Sequence, residues 1–164
     1  MPTDIKTIYQ GSLTATHAAE QQGLQQMETQ LPGLHDYPDY AALVQRHIST
    51  TKTQIERLER AMDEAGISPS KLKEGVTSVI GSVGAAVHGA FPDSQLKNLY
   101  AGYAYQHEQI AAYQSLAVIA EQAGFASHRS WIEQSLAEER DGAAAAEKLI
   151  EPVTRTYLRH ATAG

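Results

Sequence analysis

The stretch IKTIYQGSLTATHAAEQQGLQQMETQL, residues 5–31, decides the fold because its apolar side chains recur at helical spacing. The positions expected to face inward are three to five residues apart; they are Ile5, Ile8, Leu13, Thr16, Glu20, Leu24, Met27 and Leu31. Glu20 therefore occupies a core position. A buried carboxylate is costly unless a group inside the molecule compensates it. The stretch predicts a helix that Thr3 caps and that carries a polar group into a helical core.

Three further segments show the same periodicity. The predicted helices cover residues 38–65, 94–124 and 127–151. Pro152 is expected to end the last of them, because proline cannot donate a helical backbone hydrogen bond. Glu139 lies on the inward stripe of this last helix, as Glu20 does on the first. Two carboxylates are therefore predicted inside one bundle.

Loop lengths predict how the four helices are connected. The first and second helices are joined by a short loop, as are the third and fourth, whereas about 27 residues separate the second from the third. This crossover contains Gly75, Gly81, Gly84 and Gly89, and we expect one or two short helices in it. Two antiparallel hairpins with one long connection are typical of a ferritin-like, all-α four-helix bundle. We expect one domain over residues 1–153 and a polar tail over 154–164.

Composition excludes several classes of partner. The chain has 19 acidic and 13 basic residues, and the basic residues are scattered, so nucleic acid and anionic membrane surfaces are not expected partners. There is no cysteine, so a disulfide or a thiolate metal site is impossible. No stretch has the roughly 20 apolar residues of a membrane span, and the first residues lack the pattern of a signal peptide. We therefore expect a cytoplasmic protein.

Four stretches, in order along the chain, resemble the ferritin-like YciE/YciF family of bacterial stress-associated proteins. They are HAAEQQ (17–22), TQIERLE (53–59), QHEQIAAYQSLAVIAEQAGF (106–125) and SLAEERDGAAAAEKL (135–149). The resemblance implies a four-helix bundle that is usually dimeric and holds a carboxylate and histidine site of the di-iron type.

The resemblance also implies that most of this metal site is lost. Glu20 and Glu139 match two of the family's carboxylates. The positions at which the family has other ligands hold different residues here; these are Ser49, Lys52, Gln106, Gln109 and Ala143. No Glu-x-x-His pair occurs in the chain. Two carboxylates and two amides are a poor ligand set for two divalent ions.

We therefore expect a polar cluster at the former metal site, formed by Glu20, Lys52, Gln106, Gln109 and Glu139, and no metal cofactor. In this interpretation the ammonium group of Lys52 replaces the metal ions; the alternative for Lys52 is a solvent-facing position. The competing hypothesis is an iron or manganese oxidoreductase, with ferroxidase-like activity at a reduced site. Its ligands would be His17, Glu20, Glu108 and Glu139.

The function favoured by this interpretation is a stress-associated binding or assembly module rather than an enzyme. A homodimer is expected from the resemblance. It is also expected because the third helix has more tyrosines than the interior of one bundle needs. These tyrosines are Tyr100, Tyr103, Tyr105 and Tyr113.

Overall fold

The computed structural model describes residues 3–68 and 94–163. The crossover predicted to contain short helices lies outside the described residues, apart from its first three. Four long helices make up most of the rest: α1 (Ile5–Gln30), α2 (Pro38–Glu64), α3 (Ser94–Gln122) and α4 (Arg129–Thr162). Short 3-10 turns, Leu31–Leu34 and Ala126–His128, lie in the connections from α1 to α2 and from α3 to α4. The expectation of an all-α, ferritin-like bundle is confirmed, and the described residues contain no strand.

Glycines end two of the helices. Gly66 and Gly124 have φ values of 78° and 85°, in the left-handed region that glycine tolerates best. After α2, the backbone N–H of Ile67 bonds to the carbonyl of Met62, and Phe125 bonds to Ala120 in the same way after α3. These bonds satisfy carbonyls that the helix end would leave without a partner. The local sequence alone therefore explains where α2 and α3 stop.

The helices pack as two hairpins. α1 pairs with α2 and α3 pairs with α4, while α1 also contacts α3 and α2 also contacts α4. Two apolar clusters form the core, one toward each end of the bundle. One cluster is centred on Tyr9, Leu13, Leu58, Met62, Leu116 and Ile132. The other is centred on Leu34, Tyr40, Val44, Leu99, Ala146 and Val153. Four of the polar residues expected at the site lie between these clusters; they are Glu20, Gln106, Gln109 and Glu139.

The inward face of α1 differs from the prediction at its first turns. Ile5 and Ile8 were expected in the core, but their side chains are 45% and 43% exposed. Tyr9 is fully buried instead and precedes the buried Leu13 by one helical turn. The prediction for the two isoleucines is therefore wrong, because the stripe begins with the larger aromatic side chain, which finds a hydrogen-bond partner in His128.

Pro152 does not end the last helix. α4 continues through it to Thr162. Pro152 is on the exposed side of the helix, where water can satisfy the carbonyl that loses its partner. Val153 is buried, and Tyr157 packs against the same apolar cluster. The helix therefore crosses the boundary between 153 and 154 at which a polar tail was expected. Among the described residues, no helix combines the length and the apolarity that a membrane span requires.

A buried polar layer in the middle of the bundle

The carboxylate of Glu20 is fully buried and held by two phenols from α3. The Tyr105 hydroxyl donates to Glu20 Oε2 at 2.6 Å, and the Tyr113 hydroxyl donates to Oε1 at 2.8 Å. Both acceptor oxygens are thus engaged. Hydrogen bonds to an ionised acceptor are short and strong, so these contacts offset part of the cost of burying the charge.

Tyr105 reaches Glu20 because α1 has no side chain at residue 23. A Cβ atom on Gly23 would lie 2.5 Å from Cζ of Tyr105 and 2.6 Å from its hydroxyl oxygen. The tyrosine ring therefore crosses α1 directly against the backbone. Glycine inside a helix costs about 1 kcal/mol relative to alanine, and here it creates the space for this contact.

Glu139 on α4 is fully buried as well, but it has fewer hydrogen-bond partners than Glu20. His47 Nε2 lies 3.4 Å from Glu139 Oε1, and the side-chain amide nitrogen of Gln106 lies 2.8 Å from His47 Nδ1. An amide nitrogen donates, so Nδ1 accepts and Nε2 carries the proton directed at the carboxylate. Gly142 again makes room, since a Cβ there would lie 2.6 Å from the amide nitrogen of Gln106.

The hydrogen bonds continue along α2 and α4. The guanidinium of Arg57 donates to both carboxylate oxygens of Glu138, at 2.7 and 3.0 Å, and to Ser135 Oγ at 3.1 Å. Gln54 donates to Glu138 Oε2 at 3.2 Å. We call the interior set the polar layer; it comprises Glu20, His47, Thr51, Gln54, Tyr105, Gln106, Gln109, Tyr113, Ser135 and Glu139.

The polar layer is rich in hydrogen-bond acceptors. Several of its buried oxygen atoms receive no hydrogen bond from the described protein groups; they are Thr51 Oγ1, Gln54 Oε1, Gln106 Oε1, Gln109 Oε1 and Glu139 Oε2. Gln109 lies one turn after Tyr105 and one turn before Tyr113, on the side of α3 that faces Glu20. The layer thus contains more acceptor oxygens than donor groups directed at them.

Burial raises the pKa of Glu20 to about 7, and the negative charge of Glu139 adds to this shift. The hydrogen bonds from Tyr105 and Tyr113, and the nearby His47, act in the opposite direction. Desolvation is the larger effect because the group has no access to water. Glu20 therefore exchanges its proton near neutral pH.

The structure brings together only part of the predicted cluster. Glu20, Gln106, Gln109 and Glu139 lie in the polar layer. Lys52 does not: its side chain is 54% exposed, and Nζ lies 2.8 Å from Glu28 Oε1. The predicted buried cation is therefore wrong, and the solvent-facing alternative describes Lys52. Thr51 takes the inward position on α2, because one residue rotates the side-chain direction by about 100°.

The alternative ligand set is also dispersed. His17 is buried, but its Nε2 lies 3.1 Å from Glu59 Oε1, toward the surface. Glu108 is exposed on α3. Within residues 3–68 and 94–163, no three His, Asp or Glu side chains are grouped so that they could hold a metal ion.

The sequence did not show which side chains pair with the two carboxylates. Tyr105 and Tyr113 hold Glu20, and His47 faces Glu139. The two interior helix glycines, Gly23 and Gly142, were an available signal, since each marks a place where a bulky side chain from another helix approaches.

The family model described as "Domain of unknown function (DUF892)" matches residues 4–159. The chain belongs to this family. A protein from Xanthomonas campestris pv. campestris is 20% identical, with a TM-score of 0.79 over 95% of this chain and 97% of its own. The Escherichia coli stress protein YciF is 20% identical, with a TM-score of 0.70 over 92% and 96%. YcfI, a putative structural protein from Rhodopseudomonas palustris, is 18% identical, with a TM-score of 0.69 over 88% and 94%. The resemblance to the YciE/YciF family is confirmed.

The polar layer does not fit the di-iron centre that the ferritin-like fold implies. Such a centre needs bridging carboxylates and imidazoles contributed by all four helices. Here both oxygens of Glu20 are bonded to phenols, and Nδ1 of His47 is bonded to an amide. The facing side chains of α3 are Gln106 and Gln109, whose neutral oxygens bind divalent metals weakly.

The fit between Gly23 and Tyr105 predicts opposite effects for two matched substitutions. Gly11→Ala has open space around the new methyl group and should stabilise α1 by about 0.5 to 1 kcal/mol. Gly23→Ala should destabilise the protein by roughly 1 to 2 kcal/mol, because the methyl group displaces Tyr105 from Glu20. Urea unfolding of the two variants and the wild type measures both changes in the free energy of unfolding. A Gly23→Ala variant as stable as Gly11→Ala would contradict the close approach.

The raised pKa of Glu20 predicts a loss of stability as pH rises. Between its ordinary value of 4.5 and about 7, the folded protein keeps a proton that the unfolded chain has lost. The free energy of unfolding should therefore decrease across this interval, by roughly 3 kcal/mol at most. Glu20→Gln should remove this decrease in the free energy of unfolding, whereas Glu28→Gln, at an exposed position on the same helix, should retain it.

Urea unfolding of the three proteins at pH 5 and pH 8 provides the measurement. The same pH dependence in the wild type and in Glu20→Gln would show that Glu20 ionises normally.

Proposed function

We propose that this protein is a binding or assembly module of the YciF type that performs no di-iron chemistry. The proposal rests on the hydrogen bonds that Tyr105 and Tyr113 donate to the two carboxylate oxygens of Glu20. A metal ion bound there would have to displace two short hydrogen bonds and accept amide oxygens in place of carboxylates. The interior carboxylates therefore act as hydrogen-bond acceptors that join helices.

The assembly we propose is a homodimer. Two of the third-helix tyrosines from which a dimer was expected, Tyr105 and Tyr113, point to the interior, so these tyrosines no longer support it. The outward face of α3 provides different support, because Ala104, Ala111 and Val118 are exposed at intervals of seven residues. Val118 is 62% exposed. A seven-residue stripe of small apolar side chains is suited to packing against a second helix. A cytoplasmic location stays a prediction.

Metal content tests the absence of di-iron chemistry. Protein purified from cells supplemented with iron or with manganese should contain far less than stoichiometric metal by mass spectrometry, and should not accelerate Fe(II) oxidation above buffer. A double variant, Gln106→Glu with Gln109→Glu, restores carboxylates on α3 and should retain more metal than the wild type. Stoichiometric iron or manganese in the wild type, lost in Glu139→Gln, would overturn the proposal.

The oligomeric state tests the proposed interface. Analytical ultracentrifugation at micromolar concentration should show a dimer, and Val118→Glu should shift it to a monomer, because a charge within an apolar contact is costly to bury. Gln45→Glu adds the same charge at an exposed position of α2, away from the stripe on α3, and should leave the dimer intact. A monomeric wild type would exclude this assembly.

A further inference from the structure

A second buried hydrogen-bonded group lies at one end of the bundle, apart from the polar layer. The Tyr9 hydroxyl lies 2.6 Å from His128 Nδ1, and His128 Nε2 lies 2.6 Å from Glu64 Oε2. Tyr9 belongs to α1, Glu64 is the last residue of α2, and His128 ends the turn before α4. Tyr9 is completely buried, whereas the side chain of Glu64 is 62% exposed. The group therefore runs from the core to the surface.

The hydrogen-bond directions follow from the chemistry of the three groups. A carboxylate accepts, so the proton between His128 and Glu64 is on Nε2. Within the part of the chain that the structure describes, the Tyr9 hydroxyl makes this one hydrogen bond, so its proton points at Nδ1. The neutral imidazole thus presents its basic nitrogen to a phenolic proton. In this arrangement His128 can act as a general base toward the Tyr9 hydroxyl, while Glu64 accepts a hydrogen bond from the other ring nitrogen.

Ordinary ionisation of this phenol is disfavoured. Burial, and then the negative charge of Glu64, raise the pKa of Tyr9 above its usual range. Loss of the proton together with an electron leaves a neutral phenoxyl group and so avoids a buried negative charge. The proton would form an imidazolium on His128, which the Glu64 carboxylate stabilises.

Aromatic rings connect Tyr9 to a side chain that solutes can reach. The Phe125 ring lies 5.0 Å from the Tyr9 ring, and the Trp131 ring lies 6.0 Å from the His128 ring, both measured between centroids. Trp131 is the one tryptophan in the sequence and is half-buried. Indole and phenol are the side chains that lose an electron most readily in a chain without cysteine. Trp131 can therefore meet a small oxidant, whereas Tyr9 cannot.

We propose that Trp131, His128 and Tyr9 form a one-electron relay that quenches small oxygen-centred radicals. The radical takes an electron from Trp131 and becomes an anion, while the indole N–H proton leaves to water. Tyr9 then returns an electron to the indolyl radical, which regains a proton from water. The phenolic proton of Tyr9 passes to His128 Nδ1, so the oxidising equivalent ends as a buried phenoxyl radical. The relay uses no metal ion and no residue of the polar layer.

Pulse radiolysis of the full-length protein with azide radicals, which oxidise indole selectively, tests the electron transfer. The tryptophan radical should decay as a tyrosyl radical appears at the same rate. Tyr9→Phe should abolish this coupled step. Tyr40→Phe should preserve it, because Tyr40 is buried but its hydroxyl faces an amide oxygen of Gln30 at 3.5 Å. Peroxyl radicals from a thermal azo initiator should give a tyrosyl resonance signal that Tyr9→Phe lacks.

Two further variants test the role of the proton acceptor. His128→Gln keeps a polar side chain without a basic nitrogen, and should slow the transfer by about a hundredfold. Glu64→Gln changes a side chain that is 62% exposed, and should slow the transfer by a smaller factor. Deuterated water should slow the wild type. If His128→Gln does not fold, Glu64→Gln and the isotope effect decide the question. An unchanged tyrosyl yield in Tyr9→Phe, or neither a Glu64→Gln effect nor an isotope effect, would overturn the relay.

Discussion

The burial of the Glu20 carboxylate imposes the main constraint on this bundle. A carboxylate without access to water must receive hydrogen bonds from the protein, and two phenols of α3 supply them. To do so α3 must approach α1 closely enough for the Tyr105 ring to lie on the backbone at Gly23. The spacing of these two helices is thus determined by a polar contact, and the apolar clusters on either side pack around it.

The polar layer also fixes the axial register of the helices, because its hydrogen bonds join different pairs. Glu20 connects α1 to α3, His47 connects α2 to both α3 and α4, and Gln54 connects α2 to α4. Apolar side chains can slide by one turn and find new apolar neighbours. A buried carboxylate cannot do so without losing its partners, at a cost of several kcal/mol. Buried polar residues that select one register among several are known from coiled coils.

The same positions in a ferritin-like di-iron site would carry metal ligands, and here their side chains form hydrogen bonds with one another. Glu20 and Glu139 each lie within hydrogen-bond distance of side chains on other helices. The amides and phenols around them keep the interior polar without adding charge. At the end of the bundle His128 likewise joins polar groups of different helices, because it links the buried phenol of Tyr9 to the exposed carboxylate of Glu64.

The sequence by itself determined the helices, most of their ends, and the inward placement of Glu20, Gln106, Gln109 and Glu139. Periodicity and glycine chemistry are local properties, so the chain reveals them directly. The partners of these residues were decided by the tertiary structure. A helix turns about 100° per residue, so a stripe read from sequence is uncertain by one position, and Thr51 rather than Lys52 faces inward for that reason.

Contacts between helices depend in addition on their relative rotation, axial shift and separation, which no single helix encodes. The bonds from Tyr105 to Glu20 and from His47 to Glu139 join residues 85 and 92 positions apart. The continuation of α4 through Pro152 was decided in the same way. The helix keeps its exposed proline because Val153 and Tyr157, on its other side, pack against the core.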